Sequence, residues 1–121
     1  MVGRDFSKDE YWKVVRPDIL RLHQRTTDPR FRDDQFWGPA QTAMGRDVRD
    51  GFKMKWRGRG AGGIQLRLNI ALLDGDAWLC DAYSKTDPRL DHRMGIRLID
   101  RIQAIRDGDV AAKGELRDRR T

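Results

Sequence analysis

The sequence predicts an α+β domain: a small antiparallel β-sheet packed against N-terminal helices, with a C-terminal helix. Three observations carry that prediction. Residues 52–57 and 64–73 alternate apolar and polar side chains, the period of two that a half-buried strand requires. Asp74-Gly75-Asp76 supplies a hairpin turn between the second of these stretches and a returning one at 77–85. Beyond Asp87-Pro88, the residues Leu90, Met94, Leu98, Ile102 and Ile105 recur at helical spacing and form one apolar stripe.

Each element follows from its local chemistry. Ser7-Lys8-Asp9-Glu10 has the form of a capping box, and the helix it opens carries Tyr11, Val14 and Val15. Pro17 then either kinks that helix or restarts it before Ile19, Leu20 and Leu22, because proline is tolerated only in a first turn. Residues 26–34, TTDPRFRDD, read as a loop. A second helix is expected over the following stretch, where Phe36, Ala40, Met44 and Val48 stand four apart, although Gly38-Pro39 weakens its start. The first strand, 52–57, places Phe52, Met54 and Trp56 on one face and Lys53, Lys55 and Arg57 on the other.

Residues 58–63, GRGAGG, form a flexible connection. In the next strand Ile64, Leu66, Leu68 and Ile70 oppose Gln65, Arg67 and Asn69. A plain two-residue turn would set Arg67 opposite Ala82. A three-residue loop or a bulge would set it opposite Tyr83, and Gln65 opposite Lys85. The second register is preferred, because it buries Trp78, Cys80 and Ala82 and displays Tyr83 and Lys85. Asp87 at the N-cap and Pro88 at the first helical position open the last helix. The domain is expected to span 1–108, with a charged, flexible tail at 109–121.

Composition narrows the partner. Of 121 residues, 36% are charged; the net charge is +6 and the cations are mostly arginine. Arginine pairs bidentately with phosphate, so a polyanion is the natural ligand of such a surface. Cys80 is the single cysteine, which leaves no disulfide framework and suits a reducing compartment. It lies in an apolar run and reads as a small buried hydrophobe. No stretch approaches the ~20 apolar residues of a membrane span, and no hydrophobic signal core opens the chain, so a cytoplasmic location is expected.

The polar face of the sheet would collect Lys53, Lys55, Arg57, Arg67, Tyr83 and Lys85, with Gln65, Asn69 and Asp81 among them. Cations gathered on one face repel each other unless a phosphate backbone neutralises them. Residues 52–92, from FKMKWRGRG to RLDH, resemble the C-terminal half of RelE-type bacterial toxins of the RelE/ParE superfamily; the likeness extends over 51–106. In that family a Lys-x-Lys strand, a glycine-led strand, a hairpin and a return strand ending in a basic residue precede a final helix.

The resemblance implies a toxin of a type II toxin–antitoxin system. Such a toxin is a metal-independent endoribonuclease that cleaves mRNA on the ribosome and is neutralised by an antitoxin. It implies no cofactor. Lys53 and Lys55 match the family's paired lysines, Lys85 matches the basic residue ending the last strand, and His92 falls where the family has a catalytic tyrosine. Gln65 stands where the RelE type has arginine, with Arg67 two residues on, and Thr86 stands where another arginine is usual. The family also usually begins with a strand, for which residues 2–6 are poor material.

Cleavage by 2′-OH attack needs a base, an acid and cations for the phosphorane. The expected catalytic set is Lys53, Lys55, Arg67, Lys85 and His92; Arg57, Arg59, Gln65 and Tyr83 are expected to contact RNA. Histidine titrates near working pH, so His92 suits proton transfer, with Tyr83 or a depressed lysine as alternatives. His92 is equally readable as a surface histidine and Tyr83 as structural; His23 has no partner motif and reads as packing or exposure. The tryptophans Trp12, Trp37, Trp56 and Trp78 follow the apolar periodicity, as core or as an antitoxin-binding surface. Two other functions stay open: a ParE-like inhibitor of DNA gyrase with the same fold, and a non-catalytic nucleic-acid-binding module. The latter would be expected to show a base-reading helix-turn-helix, and none is evident.

Overall fold

The computed structural model describes residues 11–42, 45–59, 64–85 and 87–108. The expected cap at Ser7, the strand material of 2–6, most of the glycine-rich connection, Thr86 and the tail at 109–121 lie outside these residues. So do the side chains of Trp12 and Arg59.

The described chain is α+β, as expected. A helical stretch opens with a π-type turn (Tyr11–Val15), continues as α1 (Arg16–Leu20) and ends in a 3-10 turn (Arg21–Gln24). The hydrogen bonding changes around Pro17, in the first turn of α1, so the restart outcome holds. A second 3-10 turn, Pro29–Arg32, interrupts the expected loop; the Asp28 carboxylate caps it by accepting from the Arg30 N–H.

Four antiparallel strands follow in the order β1-β2-β3-β4: β1 (Trp37–Gln41), β2 (Asp47–Arg59), β3 (Ile64–Leu73) and β4 (Asp76–Lys85). The second helix expected at 36–48 is therefore absent, and the sheet has one strand more than expected. Its apolar residues belong to opposite sides of the sheet: Phe36 joins one core and Ala40 and Val48 the other. Pro39 disfavours a helix interior but is tolerated on an edge strand, and β1 is an edge.

The β3–β4 hairpin closes on Asp74 and Gly75, both with positive φ (52° and 83°), the conformation a two-residue turn between twisted strands demands. The preferred register is present, by a bulge. Leu73 pairs with Asp76, but between Asn69 and Ile70 the ladder slips by one residue, so Arg67 stands opposite Tyr83 and Gln65 opposite Lys85. The slip also reverses which residues share a face. Trp78 and Cys80 pack with the C-terminal helix, whereas Ala82 packs under the N-terminal segment, so the three are not together as expected.

The last helix, α2 (Pro88–Arg106), starts as the sequence indicates: Asp87 accepts from the N–H groups of Arg89 and Leu90, and proline occupies the first turn. Leu98 and Ile102 of its stripe are buried; Ile105 is half-buried beside them.

Two cores result, one on each side of the sheet. On one side Val15, Ile19 and Leu22 cover Met54, Trp56, Leu66, Leu68 and Ile70. Among the described residues the one charged group buried there is Asp18, which accepts from Trp56 Nε1 (2.9 Å) and pairs with Arg30 (3.0 Å) and Arg21 (3.2 Å). A buried carboxylate is tolerated because its lone pairs are used. On the other side α2 covers Val48, Ala71 and Trp78. This is the face that carries the lysines, so the cationic face is partly roofed by a helix rather than open.

Candidate functional site

Cross-strand pairing assembles the site. Lys55 of β2, Arg67 of β3 and Tyr83 of β4 form one row across three strands. Lys53, Asn69 and Asp81 form the next row, and Lys85 stands opposite Gln65 at the end of the β4 ladder. Residues on one face of a strand recur every second position, so the opening alternation of β2 becomes a two-dimensional patch.

α2 adds a group that the sequence reading missed. Asp91 reaches from its first turns into the cluster. Its Oδ1 accepts from the Tyr83 hydroxyl at 2.6 Å, and its Oδ2 pairs with Lys85 Nζ at 2.9 Å and Lys53 Nζ at 3.9 Å. The signal was present: Asp91 precedes Leu98 by seven residues and so shares the sheet-facing side of the helix. An aspartate on an apolar stripe asks for partners.

Several expected surface groups are enclosed. Arg67 is 1% exposed and Tyr83 7%, where the alternation placed both on an open face. Arg67 donates to Gln65 Oε1 (2.8 Å) and to the Leu66 carbonyl (3.2 Å), but its Nε has no hydrogen-bond partner. Asn69, also 1% exposed, donates to the Met94 carbonyl of α2 at 3.2 Å while its Oδ1 is unpaired. Tyr83, expected on an open face, is enclosed with its hydroxyl donating to Asp91. Lys55 donates to the Asp34 carbonyl, and Arg57 is exposed.

The electrostatics follow from this crowding. Burial holds the Lys53 ammonium below its ordinary range; Asp91 opposes that shift, and Arg67, Lys85 and Arg57 reinforce it. Burial, then Lys53, Arg67 and Arg57, lower Lys55 in the same way. Burial lowers Arg67 too, yet a guanidinium stays charged. Burial would push the Asp91 carboxyl up, but the hydrogen bonds from Tyr83 and Lys85, with Lys53 nearby, outweigh it and hold it below the usual carboxylate range. Burial and the bond to Asp91 raise the Tyr83 phenol well above its ordinary value. Tyr83 is therefore a poor proton donor to anything but Asp91. Lys53 and Lys55 are the amines whose basicity this setting lowers.

His92 is half-buried on α2, one residue after Asp91, and does not join the groups that hold that carboxylate. His23 is exposed. Trp56 is core, Trp37 stacks on Phe52 at 5.2 Å, and Trp78 packs against the α2 side. Cys80 is half-buried at the bulge, and burial first, then the Asp81 charge, push its thiol up to about 11, as an inert packing residue would have it. Among the described residues no three His, Cys, Asp or Glu side chains converge as a metal site would need, and no helix is long and apolar enough to cross a membrane.

What the described arrangement can do chemically is bind an oxyanion beside amines of lowered basicity, with a carboxylate and a phenol fixed at its border. No protein-family model, no curated protein and no solved structure matches the chain significantly.

Proposed function

We propose that the protein is a ribosome-dependent endoribonuclease that cuts mRNA by 2′-OH attack, the toxin of a pair whose partner is an antitoxin. One observation carries the reading. Lys53 and Lys55 are crowded with Arg67 on one sheet face, and both ammonium groups are destabilised there by burial and by like charge. A phosphate arriving at that row relieves the repulsion, and more so as charge develops on the phosphorane. A lysine of lowered basicity also gives up its proton more readily than an ordinary surface lysine does. Arg57 is exposed to steer RNA, and Lys85 stands at the border with Asp91. His92 is the imidazole candidate on α2.

The test is single-turnover cutting of a ribosome-bound message by the purified protein, with 5′-end mapping. Wild type is expected to cut inside the message, and Lys53→Met, Lys55→Met and Arg67→Met to cut on the order of 10²-fold more slowly or worse. Comparing His92→Gln with Lys55→Met identifies the proton-transfer group, which is the one that lowers cutting more than binding. Intact RNA alongside altered plasmid supercoiling would give the fold to gyrase inhibition. RNA binding without cutting would leave a binding module.

A further inference from the structure

We propose that Asp91 is the positioning residue of this cluster: from α2 it holds the Tyr83 hydroxyl and the Lys85 ammonium, with Lys53 beside them, and so sets where the cations stand when a phosphate arrives. The reaction it serves rests on the ribonuclease reading; the contact itself does not.

Lys53 is on β2 and Lys85 on β4, with β3 between them. Both ammonium groups are drawn to the same oxygen of Asp91. Asp91 is the acidic group that opposes their mutual repulsion, and without it long lysine side chains would spread toward solvent. Aspartate has one methylene and few rotamers, so its position is set by the helix that carries it. That helix is seated by its backbone. A Cβ at Gly95 would collide with the Gln41 carbonyl, so only glycine lets α2 lie this close to β1. Asn69 of β3 also ties down the Met94 carbonyl. The carboxylate is only 10% exposed and both its oxygens are engaged. Beside it, on the same strand as Asn69, the enclosed Arg67 keeps one donor unpaired, as a site awaiting an oxyanion would.

A mere counter-ion and a positioning group differ in what their removal does. Removing a negative charge from a cationic cluster strengthens RNA binding in either case. Only a positioning group also slows the reaction, because loss of alignment by about 1 Å can cost on the order of 10²-fold in rate.

The experiment compares wild type, Asp91→Asn and Asp91→Glu as full chains, each checked by thermal melt. Binding of a labelled single-stranded RNA 12-mer is followed by anisotropy. Cutting of ribosome-bound message is measured in single turnover. Ionisation of Tyr83 is followed by near-ultraviolet absorbance at alkaline pH, with Tyr83→Phe identifying its signal. For Asp91→Asn the expected result is RNA binding a few-fold tighter, cutting slower on the order of 10²-fold, and a Tyr83 phenol that ionises at lower pH. Asp91→Glu recovers part of the rate. Cutting as fast as or faster than wild type would overturn the proposal and make Asp91 an internal brake. An unmoved Tyr83 titration would overturn it too. If wild type itself does not cut, the ribonuclease reading fails and takes the role in the reaction with it, whereas an unmoved Tyr83 titration beside normal wild-type cutting would overturn the Asp91 contact alone. If Asp91→Asn does not fold, the glutamate variant tests position alone: its charge is kept and displaced by one methylene, so slower cutting at unchanged RNA binding is expected, and wild-type cutting would overturn the proposal.

Discussion

The two sides of the sheet solve the same burial problem in different ways. Under the N-terminal segment the core is apolar, and the one charge buried there among the described residues, Asp18, is bonded to Trp56, Arg30 and Arg21. Under α2 the apolar part stops midway. Val48, Ala71, Leu98 and Ile102 fill one end, and the other end holds Lys53, Asn69, Arg67, Tyr83 and Asp91. Two buried polar atoms there, Arg67 Nε and Asn69 Oδ1, lack partners, and two lysines are held in a setting that disfavours their charge. Folding alone favours the first arrangement. The second fits the proposed phosphate site, with stability supplied from the opposite face.

The largest expected effect lies on the apolar side. Trp56→Ala removes a core indole and the donor to Asp18, so a loss of about 3–5 kcal/mol is expected in urea unfolding. A loss near that of an exposed residue would show that the apolar side does not supply most of the stability, which the packing of Trp56 at 3% exposure argues against.

Gly95→Ala comes next and acts on the α2 side. The added methyl meets backbone at Gln41, which cannot rotate away, so a loss of about 1–3 kcal/mol is expected, with α2 shifted from the sheet. The same variant should disturb the Tyr83–Asp91 bond, so its Tyr83 absorbance titration should move as well. Lost stability with an unmoved titration would uncouple helix docking from the site.

The smallest effect, and the sharpest for the comparison, is a pH dependence of stability. For Lys53 and Lys55 the folded value is depressed, so between it and the ordinary 10.5 the unfolded chain binds more protons. Stability therefore rises with pH through that window. Tyr83 has the opposite sign: its folded phenol is raised, so above about 10.0 the unfolded chain loses a proton that the folded one keeps, and stability falls. Melting temperature against pH should climb on the alkaline side and then drop. Lys53→Met with Lys55→Met should flatten the climb and spare the drop, while Tyr83→Phe should do the reverse. An unaltered climb in the double lysine variant would mean that these ammonium groups are not strained in the folded chain.

Much of this was legible from residue order because it depends on local chemistry. Alternation makes β2 and β3 strands, Asp74-Gly75 admits the positive φ of a tight turn, and Asp87-Pro88 starts α2 through two backbone N–H groups. The site was half legible, since Lys53, Lys55 and Arg67 follow the period of two. Residues 36–48 misled because residues spaced four apart were divided between two cores, Phe36 in one and Ala40 and Val48 in the other, and Gly38 and Pro39 belong to an edge strand that exists only by pairing with β2.

Strand identity, turn chemistry and the side of β2 that carries charge come from sequence-local forces, the steric and hydrogen-bonding preferences of neighbouring residues. Which face α2 would roof, the slip at Cys80 that sets Trp78 apart from Ala82, the enclosure of Arg67 and Tyr83, and the meeting of Asp91 with Lys53 and Lys85 come only from tertiary packing. These depend on surfaces brought together from distant parts of the chain, where one bulge or one close backbone approach changes every contact beyond it, and no local pattern encodes that outcome.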